Sequence, residues 1–340
     1  MKILAIQFRY LGDAVLLTAA LRALKGHFAG SSLHVLLAEE IAPVLEHLPW
    51  IERVWAFPRI RGSATVQRSW PMVKALRQEH FDLSIDFAGN DRGAIVSLLC
   101  GAKQRVGPKR PGGFLGRRFC YNEHVAPPST AQPQHQAKAN FGLLSFWGIE
   151  VPVHPALEIR ADPARAGFAE ELLPGCPVLC HLATSQPKKE WPLAHWVEFY
   201  HRAGAAGQEL VFCAGPGTRE QTLLAQFTEQ VRTAAILPPL PDLATFLAVL
   251  RRARLFISGD TGPLHLAAGL GVPTISLFGP SAIGQWAPQG PEHRSIQGSA
   301  CTCSGDAAVC TSASPCMAAI APQAVLGLLV EALKGKSVKA

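Results

Sequence analysis

No stretch of this chain approaches the roughly 18 uninterrupted apolar residues that a membrane-spanning helix requires. The apolar run near the N-terminus, Ile3 to Ile6, is too short for a secretory signal, and no small-residue cleavage site follows it. Zinc-finger spacings and aromatic RNA-binding patterns are missing, which argues against nucleic acid as a partner, and no short internal repeat is visible. Charge is scarce. Asp, Glu, Lys and Arg make up 17% of the 340 residues against 48% hydrophobic ones, a composition that excludes a disordered chain. The charge that remains leans to one sign: a formal net charge of +7 points to an anionic partner, either lipid or a phosphorylated substrate. These absences predict a cytoplasmic protein that meets a membrane only at its face. In that compartment the nine cysteines stay reduced.

What the chain does have is alternation. Residues 2–8 read as a strand buried on both faces, followed by the loop Arg9-Tyr10-Leu11-Gly12-Asp13 and a helix from Ala14 to His27. Strands recur at 33–37, 54–57 and 83–87 with helices between them, the pattern of a parallel sheet covered on both sides. A Gly/Pro/Arg-rich stretch over 101–135 reads as a long loop, and 148–155 as an interdomain linker. The alternation restarts with strands at 177–182 and 209–213 and helices at about 193–206, 221–230 and 243–252. The expected architecture is α/β: two Rossmann-like, doubly wound parallel-sheet domains facing a cleft, 1–155 and 156–321. A closing helix within 322–340 is expected to pack back on the first domain.

The most informative segment is residues 255–268: a short apolar strand, the polar loop Ser258-Gly259-Asp260-Thr261, and a helix opening at Gly262-Pro263. Proline costs nothing in a helix's first turn, where its missing N–H would be unpaired anyway. The free N–H groups and positive dipole end at such a start make an anion site. The following Gly269-Leu270-Gly271-Val272-Pro273 turns the chain into a second strand. The polar loop therefore sits at a strand's C-terminal edge, where open α/β sheets bind ligands. His265, one turn into the helix, is either a phosphate or sugar contact or a helix-face histidine packed below the loop.

Three elements stand together in order and spacing: Arg9-x-x-Gly12-Asp13-x-x-Leu16-x-Thr18; Thr184-Ser185 followed by Lys189-Glu190-Trp191-Pro192; and Asp260-Thr261-Gly262-Pro263-Leu264-His265-Leu266. They resemble the ADP-heptose:lipopolysaccharide heptosyltransferases of glycosyltransferase family 9, over residues 1 to about 330. The resemblance implies a GT-B fold and an inverting, metal-independent transfer of heptose from ADP-heptose to the inner core of lipopolysaccharide at the inner membrane face. It implies no cofactor, and no Asp-x-Asp pair for a diphosphate-bound cation occurs in the chain. Asp13 matches the family's catalytic base, with helix capping as the plain alternative. Lys189 and the N–H groups at Thr261-Gly262 would meet the charge of the departing ADP, while neighbouring Lys188 reads as a solvated surface lysine. Gly12, Thr184, Ser185 and His265 complete the implied donor site. Asp260 accepts from sugar hydroxyls, because it would repel the diphosphate. Where the family often has an acidic residue for the ribose, this chain leaves Thr218 or Glu220. Adenine is placed near the Leu237–Leu243 loop.

Basic residues crowd the first domain, among them Arg59, Arg61, Arg105, Arg117 and Arg118, and would bind the carboxylates and phosphates of the inner core or form a membrane-proximal surface. The opening Phe8-Arg9-Tyr10-Leu11-Gly12-Asp13 looks closer to enzymes that add the second or a later heptose. Three other readings stand beside this one: transfer of another nucleotide-activated sugar, a GT-B-shaped epimerase or hydrolase, and a non-catalytic scaffold. The last would be expected to lack Asp13 or Lys189. Finally, Cys301, Cys303, Cys310 and Cys316 fall within a Gly/Ser/Ala-rich segment with little to bury. Four thiolates there offer the donor set of a structural zinc or iron ion, against reduced cysteines in a loop or disulfides formed on oxidation.

Overall fold

Ile3, Leu4, Ala5 and Ile6 have no exposed surface, because the strand they form is central in a parallel sheet covered by helices on both faces. This computed structural model describes residues 1–58, 66–109, 112–126, 134–303 and 308–334. It divides into one unit ending at Arg160 and a second beginning at Ala161.

Unit 1 has strands β1 (Lys2–Gln7), β2 (Ser32–Ala38), β3 (Arg53–Phe57), β4 (Leu83–Asp86), β5 (Gln104–Pro108) and β6 (Glu123–Val125). Its helices are α1 (Leu11–His27), α2 (Val66–Gln78), α3 (Asp91–Leu99) and α4 (Gln136–Ala139). The strands are all parallel, in the order β3-β2-β1-β4-β5-β6. The boundary falls later than the expected residue 155. Residues 156–160 are held by unit 1, through Glu158 N donating to Thr18 Oγ1 at 3.1 Å and Trp50 Nε1 donating to Glu158 Oε2 at 3.0 Å.

Unit 2 repeats the plan. Its strands are β7 (Val178–His181), β8 (Leu210–Cys213), β9 (Ala235–Ile236), β10 (Leu255–Gly259), β11 (Thr274–Phe278) and β12 (His293–Gln297). They are again all parallel, ordered β12-β11-β10-β7-β8-β9. The helices are α5 (Ala166–Leu172), α6 (Leu193–Ala205), α7 (Thr218–Gln230), α8 (Leu243–Arg252), α9 (Gly262–Gly269), α10 (Ile283–Trp286) and α11 (Pro322–Lys334). α11, expected to pack back on the first domain, lies on α6 in this unit, and Val325, Leu326 and Leu329 join the core built around Trp191, Trp196 and Phe199.

Both sheets reverse direction between their first and fourth strands, β1/β4 and β7/β10. Loops leaving strands at such a switch point diverge and open a crevice at the carboxyl ends. Phe8–Asp13 and Phe87–Asn90 leave β1 and β4. Leu182–Lys189 and Asp260–Thr261 leave β7 and β10. Each of the three sequence motifs therefore begins in a loop that leaves a switch-point strand.

The β4 end is braced by Asp86, fully buried. Its Oδ1 accepts from Ala88 N at 3.0 Å and Gly89 N at 3.1 Å, and Tyr121 donates its hydroxyl to Oδ2 at 2.6 Å. Burial raises the Asp86 carboxyl to about 6 despite these donors. The stability this group confers is present below its unfolded value near 4 and is lost as pH rises through about 6. Tyr121→Phe is expected to destabilise unit 1 by about 1.5–3 kcal/mol at pH 8, where the acceptor is ionised, and by about 0.5–1.5 kcal/mol at pH 4. Urea unfolding at the two pH values measures the difference.

Candidate active site

In unit 1, Asp13 is not in a loop before the helix. α1 starts at Leu11, so Asp13 is its third residue, and its Oδ2 accepts from Tyr10 N at 3.2 Å. A carboxylate there closes the first turn and suits the positive end of the helix dipole, so Asp13 caps the helix whatever else it does. It is 7% exposed. Burial raises its carboxyl above the ordinary range, while the Arg9 guanidinium and the Tyr10 N–H pull it down. Arg9 is itself held, donating Nε to Ala88 O at 3.0 Å in the loop that Asp86 braces. The sequence reading gave Arg9 no role beyond its place in the motif. Gly12 lies buried beside Asp13.

In unit 2 the 184–190 segment is a small folded object. Thr184 donates its hydroxyl to Gln186 O at 2.7 Å and its N–H to Glu190 Oε1 at 3.0 Å. The expected Thr184 donor to phosphate is thus spent inside the loop, in a side chain with 1% exposure. Ser185 is exposed. Arg219, at the start of α7, reaches across to donate to Glu190 Oε1 at 2.6 Å and to Thr184 O. Glu190 and Arg219 are the residues the sequence reading missed. The signal available was a glutamate directly after Lys189, but its arginine partner lies 29 positions away. Trp191 anchors the segment, donating Nε1 to Ile320 O at 2.9 Å and packing edge-on against Trp196.

This frame presents Lys189 to the β10 loop. Lys189 Nζ donates to Asp260 Oδ2 at 2.7 Å, with both side chains largely buried. Lys188, expected to be the solvated one, is buried, and its N–H donates to Ala308 O at 3.2 Å. The two loops meet at Gly259, where an added Cβ would lie 2.9 Å from Thr184 Cγ2 and 3.0 Å from Lys189 O. Gly259→Ala is expected to push these loops apart and weaken ADP binding roughly tenfold, a loss of about 1.4 kcal/mol, as titration calorimetry would read it.

Thr261 caps α9, with Pro263 in the first turn. Pro263 has no N–H, and Leu264 N turns back to Thr261 O at 3.1 Å, while the Gly262 N–H at the helix start has no partner within the helix. His265 is buried one turn below, its ring 6.4 Å from that of Trp286. Thr218 is the exposed first residue of α7. Glu220 is half-buried, accepts from Gly217 N at 3.4 Å, and is raised by burial. A cavity of about 510 Å³ is lined by Gln221, Leu224 and Thr228 of α7 and by Ile236 to Pro239.

The expected acceptor arginines do not form one set. Arg105 donates to Cys120 O at 2.9 Å and Ala102 O at 3.0 Å, so its guanidinium serves the fold. Arg117 turns inward to Asp91 at 3.3 Å. Arg118 is exposed and stacks over Phe119 at 4.7 Å. Arg59 and Arg61 lie outside the described residues. The four clustered cysteines lie near one another. Cys303 Sγ is 3.5 Å from Cys310 Sγ, and Cys316, whose thiol burial pushes up, has Cys301 beside it. Among the described residues, no three His, Cys, Asp or Glu side chains are placed to hold an ion.

A family model described as glycosyltransferase family 9 (heptosyltransferase) matches residues 69–312. Among curated proteins, the chain is 25% identical to lipopolysaccharide heptosyltransferase 3 of Escherichia coli, across 82% of this chain and 84% of the relative. Among solved structures it superposes on the family 9 glycosyltransferase of Veillonella parvula with a TM-score of 0.85 at 19% identity, covering 98% of each chain. On E. coli ADP-heptose lipopolysaccharide heptosyltransferase II the TM-score is 0.81 at 19% identity, covering 99% of this chain and all of that one.

Proposed function

Because the chain belongs to glycosyltransferase family 9, the heptosyltransferases, and has their GT-B fold, we propose that it transfers a heptose from ADP-heptose to the inner core of lipopolysaccharide, as enzymes adding a second or later heptose do. Unit 2 holds the donor. Lys189 and the Gly262 N–H take the diphosphate, Asp260 accepts from heptose hydroxyls, and Thr218 and Glu220 flank the ribose. Adenine lies against the apolar wall at Leu237 to Pro239. The observation that carries this reading is the Lys189–Asp260 pair, 2.7 Å apart at the carboxyl ends of β7 and β10 beside the α9 N-terminus. A cation and oriented N–H groups for phosphate adjoin a carboxylate for hydroxyls.

Unit 1 supplies the base. Asp13 takes the proton of the acceptor hydroxyl as that oxygen attacks the anomeric carbon. The bond from the anomeric carbon to the ADP phosphate oxygen breaks, and the electron pair leaves with ADP. Attack opposite the leaving group inverts the anomeric centre. Lys189 and the Gly262 N–H meet the charge growing on ADP, the task a divalent cation performs elsewhere. ADP is therefore expected to bind with unchanged affinity in excess EDTA, and turnover to persist there. Loss of turnover in EDTA with recovery on adding magnesium or manganese would overturn the metal-independent reading. On the acceptor side, Arg118 is the one exposed arginine of the expected set among the described residues.

A further inference from the structure

Residues 53–78 and 92–122 together hold thirteen Lys and Arg and no Asp or Glu, in a chain whose whole excess of positive charge is seven. These stretches include α2, all of α3 except its first residue, Asp91, and the connection from β5 to β6. In a parallel sheet, right-handed crossovers running the same way across the strands lie on one face. β3→β4, β4→β5 and β5→β6 all run the same way, opposite to β1→β2. α2 packs on α3, and α3 packs on the turn Arg117–Cys120. Among the described residues this face exposes Arg68, Lys74, Arg77 and Arg118, with Asp91, paired to Arg117, as an exposed acid beside them.

The same face exposes large apolar side chains: Trp70 on α2 (54% exposed), Ile95 and Leu98 on α3, and Phe114, Leu115 and Phe119 on the β5–β6 connection. Leu115 is 100% exposed and Phe119 67%. Gly112 and Gly113, with φ of +82° and +85°, turn this connection outward just before Phe114. Single exposed apolar residues need no explanation, but a group rimmed by charge of one sign does. Arg118, stacked on Phe119, pairs a cation with an aromatic side chain. Exposed Arg68, Lys74 and Arg77 accompany Trp70 on α2, a helix with no acidic residue.

We infer that the α2–α3–Phe119 face of unit 1 docks on an anionic membrane surface, with Trp70, Leu115 and Phe119 entering the headgroup region and Arg118 and the α2 cations meeting lipid phosphates. Aromatic and aliphatic side chains gain from the interfacial layer, and basic residues near an anionic leaflet each add about fivefold in affinity. The inference rests on the proposed function in one respect: a lipid-borne acceptor brings its enzyme to a membrane. No helix among the described residues is long and apolar enough to cross one, so contact must come from a surface.

The test is co-sedimentation of the full chain with vesicles of phosphatidylcholine alone and with phosphatidylglycerol added, without donor or acceptor. Failure here leaves the transferase reading standing, and failure of transfer leaves vesicle binding standing. Binding to the phosphatidylglycerol vesicles only, weakened by salt, is expected. Leu115→Ser with Phe119→Ser should lower the partition coefficient about tenfold, and Arg118→Glu with Lys74→Glu should lower it at least as much. ADP affinity and the thermal midpoint should stay unchanged in both, since these side chains are exposed. Leu115→Ser alone, at a fully exposed position, keeps the test open if the double variant misfolds. Absence of binding, binding indifferent to these substitutions, or a wild-type dimer that the Leu115→Ser variant dissolves would each overturn the inference.

Discussion

Asp13→Asn lowers kcat by about two to four orders of magnitude, the contribution of a positioned general base, and leaves the Kd for ADP unchanged. The substitution discriminates because Asp13 has two tasks. As a cap it needs only an acceptor for Tyr10 N, which the Asn carbonyl supplies. As a base it needs a proton-accepting carboxylate, which Asn lacks. A stable variant with little turnover separates the two. The pH profile separates them further. Burial holds the Asp13 carboxyl above the ordinary range, so kcat/KM should fall as pH drops through that raised value, where protonated Asp13 accepts nothing. Removing the opposing cation with Arg9→Ala should move the acid limb to higher pH. A limb unmoved in Arg9→Ala would show that some other group sets it.

Lys189→Ala carries the second large effect. Loss of a charge-assisted hydrogen bond to the diphosphate costs about 1.5–3 kcal/mol, roughly ten- to a hundredfold in ADP affinity. The variant also leaves Asp260 buried without its 2.7 Å partner, turned toward an incoming anion, which drives the loss to the upper end. Lys189→Ala combined with Asp260→Asn should recover part of the affinity, because the uncompensated carboxylate is gone while an acceptor for sugar hydroxyls remains. Arginine at 189 is a poor substitute, since its planar fork does not reproduce a compact ammonium against Asp260. Calorimetric titration of ADP into the wild type, the single variants Lys189→Ala and Asp260→Asn, and the double variant completes the cycle.

The places of these residues in the fold were legible in the sequence for a physical reason, while their roles came from the family resemblance. Gly12-Asp13, Lys189 and Asp260-Thr261-Gly262 act through local geometry: a strand end, a tight turn, a helix start. Strand and helix alternation placed them at strand ends. What escaped was decided by contacts distant in sequence. Nothing near Thr184 announces that its hydroxyl will turn to Gln186 O, or that Arg219 will clamp Glu190. Arg105 looks like any basic residue until the carbonyls of Ala102 and Cys120 close on it. The domain boundary moved because Glu158 bonds back to Thr18, 140 residues earlier. The Cys301–Cys316 spacing did not announce that Cys303 would meet Cys310, or that Cys301 would lie beside Cys316.

The most direct test of transfer supplies purified protein with ADP-heptose and a heptose-deficient lipopolysaccharide core, in EDTA, and follows the acceptor by mass spectrometry and the new anomeric centre by NMR. The expected product is an acceptor heavier by one heptosyl residue, with ADP released in equal amount and an anomeric configuration opposite to that of the donor, formed about two to four orders of magnitude more slowly by Asp13→Asn. Release of free heptose with the acceptor unchanged, or transfer that retains the donor's configuration, would contradict it.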